Sequence, residues 1–93
     1  MQPIEKLRMM EKIVRELDDV QNSQTSILKK ISQVEADNIN LGNASLEKQL
    51  VTIFEQINTT LESVNSLHLS FNEETEEYKK ANKLEEVPDL EAL

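Results

Sequence analysis

Few side chains in this sequence carry reactive groups at a spacing that chemistry can use. His68 is the single histidine, and there is no cysteine. A histidine becomes a base or a metal ligand when a carboxylate orients it or companion ligands stand one helical turn away. No Asp or Glu stands at metal-ligand spacing from His68, which therefore reads as a histidine on the flank of a helical bundle. Serines are frequent, but none lies in the strained G-x-S-x-G turn that exposes a nucleophile. Gly42 is the only glycine, so no glycine-rich loop cradles phosphate. Carboxylates crowd at Glu73, Glu74, Glu76 and Glu77. An acid–base pair needs burial to drive two pKa values apart, and these read as a solvated helix face. Asn58-Thr59-Thr60 matches a glycosylation acceptor but falls inside a predicted helix. The reading is a protein that is not an enzyme, with no catalytic residues, no cofactor and no metal.

Composition limits the classes further. A chain of 93 residues is one domain at most, and one this short has a marginal core. Two phenylalanines (Phe54, Phe71), one tyrosine (Tyr78) and no tryptophan make a thin supply of large apolar side chains. One glycine and two prolines are too few for the turns of a sheet protein. The net charge of −8 repels nucleic-acid backbones and anionic membranes, so neither is an expected partner. No apolar run has the length of a membrane span or the pattern of a signal peptide. The lack of cysteine fits a reducing compartment. The expectation is an intracellular, soluble, all-α protein.

The elements follow from apolar periodicity. Pro3 suits a first helical turn. Met10, Ile13, Leu17, Val20, Ile27, Ile31, Val34 and Leu41 then recur in steps of three and four, with Gln24 and Asn38 in the two vacant places. Leu7, Val14 and Leu28 lie beside this seam and widen it to the three-sevenths stripe of a bundle helix. Gly42 marks a turn, and Ser45 reads as the N-cap of a second helix, with Glu47 in its first turn. Leu46, Leu50, Ile53, Ile57, Val64, Leu67, Phe71 and Tyr78 carry the second seam. Thr60 and Glu74 are its polar places, and Phe54 and Leu61 broaden it. This predicts a helical hairpin over 1–83, with helices at about 4–38 and 45–80, the apolar pattern of the second weakening after Phe71 so that its end frays or stays solvated. An acidic flexible tail is predicted over 84–93, with Leu84, Val87, Leu90 and Leu93 as a possible short docking motif.

A lone two-helix hairpin has no closed core. Stripes this wide leave apolar surface that a second hairpin covers in a four-helix bundle. Met10, Ile13, Leu17, Val20, Gln24, Ile27, Ile31 and Val34 of helix one are the candidate partner-binding residues, with Leu50, Ile53, Phe54, Ile57, Leu61 and Val64 of helix two. A polar seam residue such as Gln24 or Asn38 either fixes register and partner choice or faces solvent in an imperfect seam. Periodicity does not choose between a second copy and a different chain.

The opening block Glu5-Lys6-Leu7, Met10, Ile13, Leu17 resembles the Mediator subunit 11 family. That family begins its first helix Glu-[Lys/Arg]-Leu-x-x-[Leu/Met]-x-x-Ile-x-x-x-[Leu/Ile]. Ile27, Ile31 and Val34 continue the likeness. Leu46-Glu47, Leu50, Ile53-Phe54-Glu55, Ile57 and Val64 extend it over roughly 4–71. Family members commonly continue past the second helix, which these 93 residues do not. The resemblance implies a structural subunit of the head module of Mediator, the nuclear coactivator of RNA polymerase II. It implies direct helix pairing with Mediator subunit 22 and docking onto subunit 17. Two other readings fit the same stripes: a coiled-coil subunit of a kinetochore or vesicle-tethering assembly, and a small hairpin chaperone.

Overall fold

The computed structural model describes residues 1–84. It contains two α-helices, α1 over Pro3–Leu41 and α2 over Ala44–Ala81, and no strand among the described residues. The helices run antiparallel, and the molecule measures 60 × 24 × 18 Å. Except for Leu84, the predicted tail and its docking motif lie outside the described residues.

Both helices extend beyond the predicted bounds, and the turn shrinks to Gly42 and Asn43. Pro3 opens α1 in its first turn. At the other end Gly42 adopts the left-handed conformation, φ 72° and ψ 31°, which costs an L-residue about 1–2 kcal/mol. The N-cap of α2 is Asn43 rather than Ser45: its side-chain oxygen accepts from the Leu46 N–H at 2.9 Å. Ser45 lies within the first turn, where its hydroxyl accepts from the Gln49 amide at 3.2 Å.

Asn38 explains why the turn is so short. It is 5 % exposed. Its Nδ2 donates to the Asn43 carbonyl at 3.0 Å, and its Oδ1 accepts from the Asn43 N–H at 3.1 Å. One amide side chain therefore supplies the acceptor for the Asn43 N–H and a second donor to its carbonyl, which also accepts the first bond of α2 from the Glu47 N–H at 3.0 Å. Only a short side chain with a donor and an acceptor can do this. The polar place in the seam is a clamp on the turn, not a solvent-facing defect.

Beyond Phe71 the glutamates Glu73, Glu74, Glu76 and Glu77 are exposed, as expected of a solvated end. The helix continues through the glutamate run to Ala81, with Thr75 buried and Tyr78 half-buried. The Thr75 hydroxyl donates to the Phe71 carbonyl at 2.8 Å. Lys79 and Lys80 lie in the last turn, where positive charge complements the helix dipole. The Leu84 N–H reaches the Lys79 carbonyl at 2.9 Å and the Lys83 N–H the Lys80 carbonyl at 3.1 Å. These two bonds close a Schellman cap around Lys83, which takes φ 55°.

Two substitutions test these ends by urea denaturation followed by helical circular dichroism. Asn38→Ala leaves the Asn43 N–H without its partner, while the Asn43 carbonyl keeps its bond from the Glu47 N–H, and is expected to cost about 1–3 kcal/mol. Lys83→Gly removes the left-handed penalty at the cap and is expected to add about 1 kcal/mol.

Candidate partner-binding face

Burial along the two helices repeats every seven residues. On α1 the half-buried and buried positions include Leu7, Met10, Val14, Leu17, Gln21, Gln24, Leu28, Ile31, Glu35 and Asn38. On α2 they include Leu50, Phe54, Ile57, Leu61, Val64, His68, Phe71, Thr75 and Tyr78, and Leu46 of the first turn is half-buried outside that repeat. Residues equally far from the turn share a level. Phe54 therefore lies level with Ile31, Phe71 with Val14 and Tyr78 with Leu7, so the large rings of α2 stand level with smaller side chains of α1. Two observed contacts fix this register. Gln21 Nε2 donates to Asn65 Oδ1 at 2.6 Å, and the Lys6 ammonium lies 5.1 Å from the centre of the Tyr78 ring, a cation–π geometry.

This seam differs from the predicted one by one row on each helix. Leu7, Val14 and Leu28, placed beside the seam by the sequence, lie in it. Ile13, Val20, Ile27, Val34 and Leu41, placed in the seam, lie outside it and are between 37 % (Ile13) and 70 % (Leu41) exposed. On α2, Phe54, Leu61 and His68 take the inner places, while Ile53 and Leu67 are exposed at 40 % and 53 %. Of the candidate partner-binding residues, Met10, Leu17, Gln24, Ile31, Leu50, Phe54, Ile57, Leu61 and Val64 thus serve contact between the chain's own two helices. Ile13, Val20, Ile27, Val34 and Ile53 remain free of that seam.

The displaced rows fall on one side of the molecule. Ile13, Val20, Ile27 and Val34 each directly precede an inner residue of α1 (Val14, Gln21, Leu28, Glu35). Ile53, Thr60, Leu67 and Glu74 each precede one of α2 (Phe54, Leu61, His68, Thr75). An antiparallel pair is related by a pseudo-two-fold axis normal to the plane of the hairpin, and that rotation leaves front as front. Equivalent positions of both helices therefore share a face. Ile39 and Val51 confirm the rule on the opposite face: each follows an inner residue, and both line one cavity of about 400 Å³ beside the turn, with Glu35 and Glu47.

The two faces differ in kind. The row following the seam reads Glu11, Asp18, Thr25 and Ser32 on α1 and Asn58, Asn65, Asn72 and Lys79 on α2, and it turns apolar only at Ile39 and Val51. The row preceding it pairs Leu41 with Leu46, Val34 with Ile53, Ile27 with Thr60, Val20 with Leu67 and Ile13 with Glu74. At about 1.5 Å per residue this apolar strip is roughly 40 Å long.

The core beneath is thin. Leu7, Met10 and Leu50 are the buried hydrophobic residues among those described. The chain exposes 7048 Å², against about 5,500 Å² for a compact monomer of its mass by size scaling. Midway along the seam the Gln24 Oε1 is buried with no hydrogen-bond partner, which costs about 1–3 kcal/mol. His68 lies in the seam, level with Leu17. Among the described residues no group of three or more His, Cys, Asp or Glu is placed to hold a metal ion, and no helix is long and apolar enough to cross a membrane. No protein family, curated protein or solved structure matches the chain.

A matched pair of substitutions separates the inner row from the outer one. Ile31→Asp places an unpaired charge in the seam, which costs several kcal/mol, and is expected to collapse the helical circular dichroism of the lone chain. Ile27→Asp lies on the outer strip and is expected to leave that signal within a few per cent of wild type. Equal loss from both would place Ile27 inside.

Proposed function

We propose that this chain is a non-enzymatic structural subunit that completes a four-helix bundle with helices of another protein. The observation that carries this reading is the apolar strip running from the exposed Leu41 and the half-buried Leu46 to Ile13. It offers Ile13, Val20, Ile27 and Val34 from one helix and Ile53 and Leu67 from the other, all on one face. A hairpin with one apolar and one polar face is half of a bundle. Its work is to hold a partner's helices in a fixed geometry, with burial of the strip as the driving force.

We further propose that the assembly is the head module of Mediator, with Mediator subunit 22 as the pairing partner, subunit 17 as the neighbour and the nucleus as the location. The support is the likeness of Glu5-Lys6-Leu7, Met10, Ile13 and Leu17 to the opening of the subunit 11 family. In that reading the chain contributes to RNA polymerase II coactivation as a scaffold.

Coexpression with Mediator subunit 22, read by size-exclusion chromatography with light scattering, tests both layers. The expected product is a one-to-one helical complex that Ile27→Asp and Val34→Asp each abolish. Normal copurification of both variants would sink the strip as the binding face. A stable complex with some other helical protein, and indifference to subunit 22, would leave the bundle reading and remove Mediator from it.

A further inference from the structure

The apolar strip is graded along its length, and the gradient constrains what covers it. Near the turn its rungs are wholly apolar: Leu41 with Leu46, then Val34 with Ile53. At the open end the rung is Ile13 with Glu74, and the bordering helix positions bring Glu16 and Glu77 to the same end. Two cations lie near this face. Lys30 borders it midway along α1, and Lys6 continues the Ile13 row but has its ammonium held over the Tyr78 ring.

A second copy fits this surface poorly in either two-fold arrangement that lays the two strips along each other. Two copies face to face are related by a two-fold axis lying in the interface. With the axis along the hairpin, both turns lie at one end, Glu16 of each copy comes opposite Glu77 of the other, and both copies of Glu74 lie at that same end. Six carboxylates then gather at one end, with Lys6 near them and Lys12 and Lys80 one helical turn behind Glu16 and Glu77. With the axis across the hairpin, the turns lie at opposite ends, and Glu74 is covered by Leu41 and Leu46 of the other copy. That desolvates a carboxylate with no counter-charge. The rim then sets Glu16 and Glu77 toward Asp37 and Gln49, and Lys30 stays at the middle.

Resting on the bundle reading above, we infer that the strip docks a different chain: a helical surface that is apolar opposite the turn end and carries Lys or Arg opposite Glu16, Glu74 and Glu77. The acidic end acts by selection. It rejects self-pairing and orients the partner along the strip, because like charges brought together cost more than rim pairs of opposite charge gain.

The test uses the wild-type chain with a charge-reversed copy of itself, Glu16→Lys/Glu74→Lys/Glu77→Lys, as the probe of known chemistry. All three positions lie on exposed helical surface, where lysine is a good helix former. Each chain alone and the equimolar mixture are compared by native mass spectrometry and light scattering at low salt and at about 0.5 M salt, where the screening length falls to roughly 4 Å. The expected result is a mixed dimer that forms at concentrations at which neither chain pairs with itself, and that weakens about tenfold or more at high salt. The helical circular dichroism of the mixture should exceed the mean of the separate chains, which keeps the readout valid if either chain is poorly folded alone. Wild-type self-association as tight as the mixed pair, or no mixed dimer and no gain in helicity, overturns the inference. Ile27→Asp in both chains separates the two proposals. If it leaves the mixed dimer intact, the strip itself is misassigned. If it dissolves a dimer that forms equally well without the lysines, the strip stands and the charge selection fails.

Discussion

Two antiparallel helices can bury two seven-residue rows of side chains each, and both helices of this chain carry apolar residues in three. That mismatch governs the rest of the structure. One row on each helix must remain outside, and the energy of packing decides which. The rows taken inside include Leu7, Val14 and Leu28 of α1 and Phe54 and Leu61 of α2; Ile13, Val20, Ile27 and Val34 are left out with Ile53 and Leu67. Because the helices are antiparallel, the excluded rows converge on one side instead of scattering. The hairpin is therefore amphipathic as a unit, as a single helix is at a smaller scale.

The register that makes this possible is set at the turn. A slip of one residue rotates each helix face by about 100°, as the 3.6-residue period dictates. Asn38 prevents it by clamping the backbone of Asn43, while Gly42 supplies the left-handed step and Asn43 caps the next helix. Three adjacent functions fall on three residues with no slack between them. Near the middle, the Gln21–Asn65 bond repeats the constraint. At the open end Lys6 over Tyr78 and the cap at Lys83 finish the pair. Polar contacts of this kind add little net stability, but each is satisfied in one alignment only.

The seam itself is weak where a self-sufficient protein would be strong. Gln21 and Gln24 occupy its centre, Glu35 and Asn38 its turn end, and His68 and Thr75 break the row on α2. The unpartnered Gln24 oxygen adds a penalty at mid-length. A pair of helices held this loosely gains most from a further layer laid over its apolar face, which makes the proposed bundle a matter of stability as well as of recognition.

The sequence alone determined the helices, the position of the turn and the presence of more apolar surface than one hairpin can bury. Those are local properties: periodicity in steps of three and four, a lone glycine, and the width of the stripe. Its limits were equally physical. Ser45 and Asn43 are both good caps, and only the reach of Asn38 to Asn43 decides between them. The apolar pattern weakens after Phe71, and the glutamates there are solvated, but Thr75 is buried and Tyr78 half-buried, which the period of the helix alone did not reveal. Above all, steps of three and four are satisfied by either neighbouring row, so Ile13 and Val14 are equal candidates for the interior until the second helix is in place. Which of the rows faces inward is a property of the pair, fixed by the turn and by the fit of Phe54, Phe71 and Tyr78 against smaller residues of α1, and no single helix contains that information.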